Sequence, residues 1–391
     1  MTRKTTAVFH AFFRTRGGAE RLVLDLRRHL PADLLTLAID YRSWNANQPK
    51  DSFEIDLFDP DCSLHSFSRD AKLNGWRQLK RQFVARSRSV VKQLNQYENV
   101  IFSGNVVGIA PRLAPSVRKI VYVHTPPRYQ TDLESEVLAA ASVWKRPHLK
   151  AFGRMVRRAF RREWRAMDDV LFNSHNVRRR SLKHLGIDGT VLHPPIRTGK
   201  FSDLGDDGYY LSYARLNETK RVPTIVNAFL RRPNQRLIIA SEGPLKGWID
   251  RQITKHGATN IRCVGLVNDE QLFDLVGRCT AGIYIPRDED FGMTPCELMA
   301  AGKPVIGVDE GGLRETVLHQ RTGWLLPTNP TPEDLCDCLD QITPGKIESM
   351  KDDCKRRAAE FDESRFYDSL KQLTTQTITK HCTINGVRQA A

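Results

Sequence analysis

No apolar run in the chain approaches 18 residues, which argues against a transmembrane helix. No C-x-x-C occurs. The eight cysteines, Cys62, Cys263, Cys279, Cys296, Cys336, Cys338, Cys354 and Cys382, are scattered. Neither a disulfide framework nor a zinc site is expected from them, and the chain reads as reduced and cytoplasmic. The opening "MTRKTTAVFHAFFRTRGG" lacks a small-residue cleavage pattern and runs into Gly-Gly, so it reads as a strand and not a signal peptide. There is no short-period repeat, no G-x-G-x-x-G, no Walker G-K-[ST] and no recognised nucleic-acid module. Acids are also in short supply: 60 Lys plus Arg stand against 45 Asp plus Glu, a difference of 15. Such an excess points to an anionic partner: a nucleic acid, a membrane surface or a phosphorylated small molecule.

What is present is an alternation. Short apolar runs ("TAVFHAF", "LLTLAI", "FEIDLF", "NVIFSG", "KIVYVH", "DVLFNS") fill the first half, and "YYLSYA", "QRLIIAS", "IRCVGL", "TAGIYIP" and "KPVIGV" the second. Amphipathic stretches separate them, the pattern of parallel strands covered on both faces. A length of 391 residues favours two domains. The fold expected is α/β, with two doubly wound, Rossmann-like sheets facing a cleft. The stretch "VLHPPIRTGKFSDLGDDGYY", with Pro194, Pro195, Gly199, Gly205 and Gly208, is the most linker-like. The expected units are 1–196, 197–360, a helix over 361–380 returning to the first, and a loose tail over 381–391.

One segment, "WKRPHLKAFGRMVRRAFRREWRAMDD", carries nine Lys or Arg between Lys145 and Arg165 against a single acid, Glu163. Leu149, Phe152, Met155, Val156, Phe160, Trp164 and Met167 recur at helical spacing, and Pro147 suits a first turn. Two readings stand. Its cations meet anionic lipid while Phe152, Phe160 and Trp164 dip in, or its apolar face packs on the first domain and its charges face water. A second basic stretch, "GWRQLKRQFVARSRSVVK", shares the ambiguity.

Arg215 and Lys220 in "ARLNETKRVPTIVNAF" lie just past a strand, at the carboxyl edge of a parallel sheet, where open α/β folds bind ligands. They would grip a diphosphate or form a solvated basic loop. Gly17 and Gly18 follow the first strand and precede a helix, leaving backbone N–H groups for an anionic oxygen; a plain turn is the alternative. Glu289 follows the strand "GIYIP", and Glu297 lies one turn inside the next helix, with "FGMT" between them. Carboxylates only accept hydrogen bonds and suit vicinal sugar hydroxyls, while N–H groups at the turn suit phosphate. The loop therefore reads as a cradle for a sugar nucleotide.

"EDFGMTPCELMAAGKPVIGVDEGGLRETV" resembles the donor-site signature of retaining glycosyltransferases of family 4, with the GT-B fold. "GGAERL", "FNSHNVRRR", "VLHPPI", "ARLNETKR", "SEGPLKG" and "GLVNDEQLFDLVGRC" look like that family's motifs, in its order, over about residues 5 to 378. The resemblance implies roles. Glu297 would bind ribose hydroxyls and Glu289 hydroxyls of the transferred sugar. Backbone at Phe291, Gly292, Met293 and Thr294 would hold sugar and phosphate. Arg215 and Lys220 would neutralise the departing diphosphate, and Gly17 and Gly18 would reach the phosphate across the cleft. Val264, Gly265 and Leu266 would flank the base, and His124 in "YVHTPPRY" would contact the donor sugar; without the resemblance, a buried hydrogen-bonded histidine is the reading. Ser241 and Glu242 depart from the commoner Gly-Asp or Gly-Glu.

"HTPPRY" and "EDFGMTP" look most like members using GDP-mannose, such as bacterial mannosyltransferases of lipopolysaccharide. The function implied is retaining transfer of a hexose to a saccharide or lipid-linked saccharide, with no cofactor beyond the donor. No D-x-D is read in a strand-end setting, "DDG" and "DEDF" counting as short acidic clusters without the pattern, so no obligatory metal is expected, and no nucleophile stands out. Peripheral membrane association is the partner expected beyond donor and acceptor, and no nucleic acid. The alternatives are a UDP- or ADP-sugar donor, a sugar-nucleotide epimerase or phosphorylase on the same architecture, and a basic nucleic-acid-binding protein.

Overall fold

A computed structural model describes residues 4–13, 18–39, 64–66, 88–104 and 106–375. Gly17, the run "FEIDLF", most of the second basic stretch, Cys62, Cys382 and the tail lie outside the described residues.

Runs of Val, Ile, Leu and Phe become strands because both faces of each strand are covered. The first sheet contains β1 (Lys4–Phe13), β2 (Ala32–Ile39), β3 (Leu64–Ser66), β4 (Tyr97–Ser103), β5 (Arg118–Val123), β6 (Asp169–Phe172) and β7 (Thr190–Val191). Its helices are α1 (Gly18–His29), α2 (Arg88–Leu94), α3 (Glu134–Ala140), α4 (Arg146–Trp164) and α5 (His175–Leu185). The second sheet contains β8 (Tyr209–Ser212), β9 (Arg236–Ile239), β10 (Ile261–Cys263), β11 (Ala281–Ile283), β12 (Val305–Val308) and β13 (Gly323–Leu326). It carries α6 (Val222–Leu230), α7 (Lys246–His256), α8 (Asp269–Arg278), α9 (Met293–Ala300), α10 (Leu313–Thr316), α11 (Pro332–Asp340) and α12 (Pro344–Ala359). A last helix is α13 (Glu363–Thr375).

All strand pairings are parallel. The orders are β3-β2-β1-β4-β5-β6-β7 and β10-β9-β8-β11-β12-β13. In each, strand order reverses between the first strand and the fourth, at β1/β4 and at β8/β11. A crevice opens at the carboxyl ends of such a pair, because the two connecting helices leave on opposite faces. The expectation of two doubly wound sheets is borne out.

Alternation along the strands sorts the first sheet's core into two. Phe9, Val100, Phe102, Val121 and Val123 face one way, toward Phe160 and Trp164 of α4. Val8, Ile101, Ile120 and Tyr122 face the other, toward Leu22, Val23 and Leu26 of α1 and Phe366, Tyr367 and Leu370 of α13. After α12, whose Ile347, Met350 and Cys354 belong to the second lobe's core, the chain crosses back to cover the first sheet.

This packing corrects one expectation. Phe160 and Trp164 are 4% and 3% exposed, so neither is free to enter a bilayer. Glu163 between them is fully buried and accepts hydrogen bonds from the backbone N–H groups of Gly108, Ile109 and Ala110 at 2.5, 3.1 and 2.8 Å. The helix turns its C-terminal apolar residues and its one acid inward, because that acid satisfies three N–H groups of the loop after β4. Val143 and Trp144, just before α4, and Met155 within it are exposed, at 68%, 87% and 56%.

Candidate active site

Of the residues singled out in the sequence, Gly18, Arg215, Lys220, Glu289 and Glu297 follow the strands of the two reversal points, while His124 follows the neighbouring β5, and Val264, Gly265 and Leu266 follow β10, farther along the second sheet. Gly18 is the first residue of α1, the helix that follows β1 in the chain. A Cβ placed on it would stand 3.3 Å from Met293 Sδ at the start of α9. The two lobes are thus in near contact where both helix N-termini open. Gly292 precedes α9 at φ 92°, a conformation that glycine adopts without penalty, and no side chain caps the helix. The first-turn N–H groups of α9 are therefore left for a ligand.

Lys220 follows β8, and Glu289 follows β11. The Lys220 ammonium donates to Glu289 Oε2 at 2.6 Å and to Tyr284 Oη at 2.8 Å. Both side chains stay partly exposed, at 19% and 25%. Arg215 is exposed; its backbone carbonyl accepts from the Asn217 N–H at 2.8 Å, while its guanidinium makes no hydrogen bond or ion pair with any described residue. One cation is thereby positioned by a carboxylate and a phenol, and a second is free.

Glu297 projects from α9 and accepts a 2.9 Å hydrogen bond from the Tyr213 hydroxyl, which also reaches the Thr294 carbonyl at 3.2 Å. Burial raises the carboxyl pKa, while Arg21, the Tyr213 hydroxyl and Arg197 act the other way. Glu297 lines a cavity together with Arg21, Arg197, Asp269 and Met293, so both lobes contribute to its walls.

His124 sits one residue beyond β5. The register pairs His10 with Ser103 and Ser103 with Tyr122, which brings the three polar side chains together. Ser103 Oγ lies 3.1 Å from His10 Nδ1 and 2.8 Å from His124 Nε2. Burial, and then the neighbouring His10, push the His124 pKa down to about 3. His124 is therefore a neutral imidazole at physiological pH, unsuited to gripping phosphate as a cation, with Nδ1 unpartnered among the described residues.

Val264, Gly265 and Leu266 follow β10, two strands from the reversal point. The Val264 N–H donates to the Ile239 carbonyl at 2.9 Å, so it serves the sheet and not a ligand. Leu266 is 51% exposed. Phe291 is 2% exposed, with its ring 5.2 Å from His193 and 5.3 Å from Phe361. Only its backbone is in a position to meet a ligand.

Sequence reading missed what holds the Glu289 loop. Contrary to the expectation of no strand-end D-x-D, Asp288, Glu289 and Asp290 do have that spacing after β11, but the two aspartates turn to arginines of the first lobe. Arg128 donates to Asp288 Oδ2 at 2.9 Å and to the Asp288 carbonyl at 3.2 Å. Arg180, 6% exposed, donates to Asp290 Oδ1 at 2.5 Å and to Thr125 Oγ1 at 3.2 Å. The Asn176 amide and Ser174 hydroxyl donate to the carbonyls of Glu289 and Asp290 at 3.0 and 2.6 Å. Asp288 sits at φ 43°, costly for a residue with a Cβ, and the Arg128 clamp offsets that cost. From behind, Gly311 at φ 55° brings the β12 turn so close that a Cβ would lie 2.4 Å from the Glu289 carbonyl oxygen. The motifs "FNSHNVRRR" and "GVDEGG" were the signal; their contact with "DEDF" was not.

Residues 200–361 match the family model described as "Glycosyl transferases group 1". The chain is 29% identical over 231 residues to the alpha-1,3/1,6-mannosyltransferase ALG2 of Dictyostelium discoideum, a match covering 47% of this chain and 54% of that protein. It spans about half the length of the curated relatives it matches, or less. Two solved structures share the fold. One is Anabaena Alr3699/HepE in complex with UDP and glucose, with a TM-score of 0.69, 15% identity and coverage of 95% and 99% of the two chains. The other is the sucrose-phosphate synthase of Thermosynechococcus elongatus, with a TM-score of 0.71, 18% identity and coverage of 95% and 98%. The chain therefore has the GT-B fold, and its second lobe, over residues 200–361, matches the group 1 glycosyl transferases.

Proposed function

We propose that the protein is a retaining hexosyltransferase that moves mannose from GDP-mannose to a hydroxyl of a saccharide or lipid-linked saccharide. The observation that carries this reading is the Lys220–Glu289 pair at the β8/β11 reversal point, 2.6 Å long and partly open to the cleft. It sets a phosphate-binding cation beside a hydroxyl-accepting carboxylate, as a sugar diphosphate requires. The relatives described as alpha-1,3/1,6-mannosyltransferases support mannose. The second reading is a UDP-sugar donor, supported by the UDP complexes among the proteins of like fold.

Bond making and breaking run as follows. The acceptor oxygen approaches the anomeric carbon on the face that the diphosphate leaves. The carbon–oxygen bond to the β-phosphate breaks, and the acceptor's proton passes to the departing phosphate oxygen. Lys220, Arg215 and the N–H groups at the start of α9 stabilise the charge that develops there. Glu289 holds hydroxyls of the sugar, neutral His124 contacts it as a hydrogen-bonding group, and Gly18 lets the phosphate approach. Glu297 holds the ribose, and Gly265 and Leu266 flank the base. No metal is required by this residue set.

The deciding experiment mixes the protein with GDP-mannose and candidate saccharide acceptors and measures GDP release. Release that depends on acceptor, together with thermal stabilisation by GDP-mannose but not by UDP-sugars, is the expected result. Stabilisation by UDP-glucose alone would replace the donor, and product formation abolished by chelator and restored by magnesium would end the metal-free reading.

Glu297→Gln removes a charged acceptor worth about 1.5–3 kcal/mol, which is roughly a 10- to 100-fold rise in donor KM. Turnover at saturation should change little if the ribose is held alike in ground and transition states. Because the Glu297 pKa is raised, donor affinity should begin to fall with acidification at a higher pH than an ordinary carboxylate would give. A kcat loss without a KM change would move Glu297 out of the ribose site.

Peripheral attachment to the cytoplasmic face of a membrane belongs to the same proposal. No described helix is long and apolar enough to cross a membrane. Trp144 and Val143 stand exposed beside Lys145 and Arg146. Trp144→Ala should cut partition onto anionic vesicles by about tenfold, the scale of one large apolar side chain leaving a bilayer, with thermal stability unchanged. Equal recovery of the unmodified protein with neutral and anionic vesicles would end the membrane reading.

A further inference from the structure

Behind the donor loop, three side chains from separate parts of the chain converge. His175 is the first residue of α5 in the first lobe, His193 follows β7, and Glu315 belongs to α10 in the second lobe. One ligating atom from each lies within 4.8 Å of the others. We propose that His175, His193 and Glu315 bind a first-row divalent metal ion of the zinc type, which clips the two lobes together behind the donor loop.

The spacing is the first argument. His193 Nε2 and Glu315 Oε2 are 3.6 Å apart, and the buried Nε2 has no hydrogen-bond partner. A direct hydrogen bond would hold them at about 2.7–3.2 Å. Two ligands each about 2.0–2.2 Å from one zinc ion, at an angle near tetrahedral or slightly wider, stand about 3.3–3.7 Å apart. The pair has the separation of two atoms sharing an ion.

The second argument is orientation. Glu315 is not a loose surface acid. Its two oxygens accept from the backbone N–H groups of His175 at 2.7 Å and Asn176 at 2.6 Å. These bonds fix the carboxylate, as outer contacts fix the ligands of metal sites, and each oxygen retains a lone pair. The His193 ring is held between Phe291 at 5.2 Å and Phe361 at 5.1 Å. His175 is exposed and its ring centroid lies 5.9 Å from that of His193, so it has room to close the last part of the distance. Two imidazoles and a carboxylate select zinc, cobalt, nickel or copper over magnesium or calcium, and water would complete the coordination.

The site would couple to the donor loop through Phe291, whose ring touches His193 and whose backbone leads into Gly292 and α9. An ion bound there joins α5 to α10 and favours the closed arrangement of the lobes. This inference does not rest on the proposed transfer reaction, and its test uses no sugar nucleotide.

The test is a cobalt(II) titration of the chelator-treated full chain, followed by visible absorption and by thermal unfolding. The expected result is saturation at one ion per chain, ligand-field bands without a thiolate charge-transfer band, and a rise in Tm that zinc reproduces and magnesium does not. His193→Ala and His175→Ala should each weaken binding by roughly tenfold or more. His175 is exposed, so its variant keeps the fold intact as a control. Absence of saturable absorption, affinity unchanged in both histidine variants, or a thiolate band that assigns the ion to cysteine would each overturn the proposal.

Discussion

Lys220→Ala is expected to lower kcat by about 10²- to 10³-fold, equivalent to about 2.7–4 kcal/mol of transition-state stabilisation. The ammonium lies 2.6 Å from Glu289 and 2.8 Å from Tyr284, with its ring face 5.0 Å below. These contacts leave it little freedom, so it would meet the departing phosphate without reorganising. A simpler account is that Lys220 only neutralises Glu289. The two accounts separate in a double-mutant cycle. If Lys220 acts on the leaving group, Lys220→Ala still costs most of its effect in a Glu289→Gln background. If its whole role is to neutralise Glu289, the second substitution costs nothing further. Donor KM should rise far less than kcat falls, since the charge to be stabilised grows as the bond breaks.

This prediction was accessible from the sequence because the fold was. Runs such as "KIVYVH" and "KPVIGV" are too short for helices and too apolar for exposed strands, so parallel sheets follow. Once the sheets are known to be doubly wound, Gly18, Lys220 and Glu289 fall at the reversal points by position in the chain. The interlobe contacts were not accessible. Asp288 and Arg128 are 160 positions apart, Asp290 and Arg180 are 110 apart, and no local pattern marks one as the partner of the other. The helix over Arg146–Trp164 shows a related gap. Its periodicity identified the apolar residues, but periodicity does not say whether a protein core or a membrane covers them. Phe160 and Trp164 went to the core because Glu163 had three backbone donors to satisfy there. Tyr213 and Tyr284 were missed for a similar reason: at strand ends they read as core aromatics, and only the neighbouring carboxylate and ammonium show that their hydroxyls are used.

Arg180→Met tests whether the clasp on the donor loop is structural as well as positional. Arg180 is 6% exposed and faces Asp290 at 2.5 Å and Asp288 at 3.5 Å. Removing one partner of a buried ion pair leaves an uncompensated charge and costs about 3–5 kcal/mol. The variant should therefore melt several degrees lower and should lose activity further, because the loop bearing Glu289 is no longer held against the first lobe. Its pH dependence carries a sign. Burial already raises the Asp290 pKa, with Arg180 opposing that rise and Glu289 adding to it. Without Arg180 the folded-state pKa rises further. Between the unfolded and folded values the folded chain then binds the extra proton, so stability falls as pH rises through that window. The Tm deficit of Arg180→Met should accordingly be larger at pH 8 than at pH 5. Asp290→Asn in the same chain should recover much of the deficit at pH 8, since the charge left behind is gone. A deficit that grows toward acid, or one that Asp290→Asn leaves untouched, would mean that Arg180 stabilises the fold by packing its stem and not by holding the donor loop through charge.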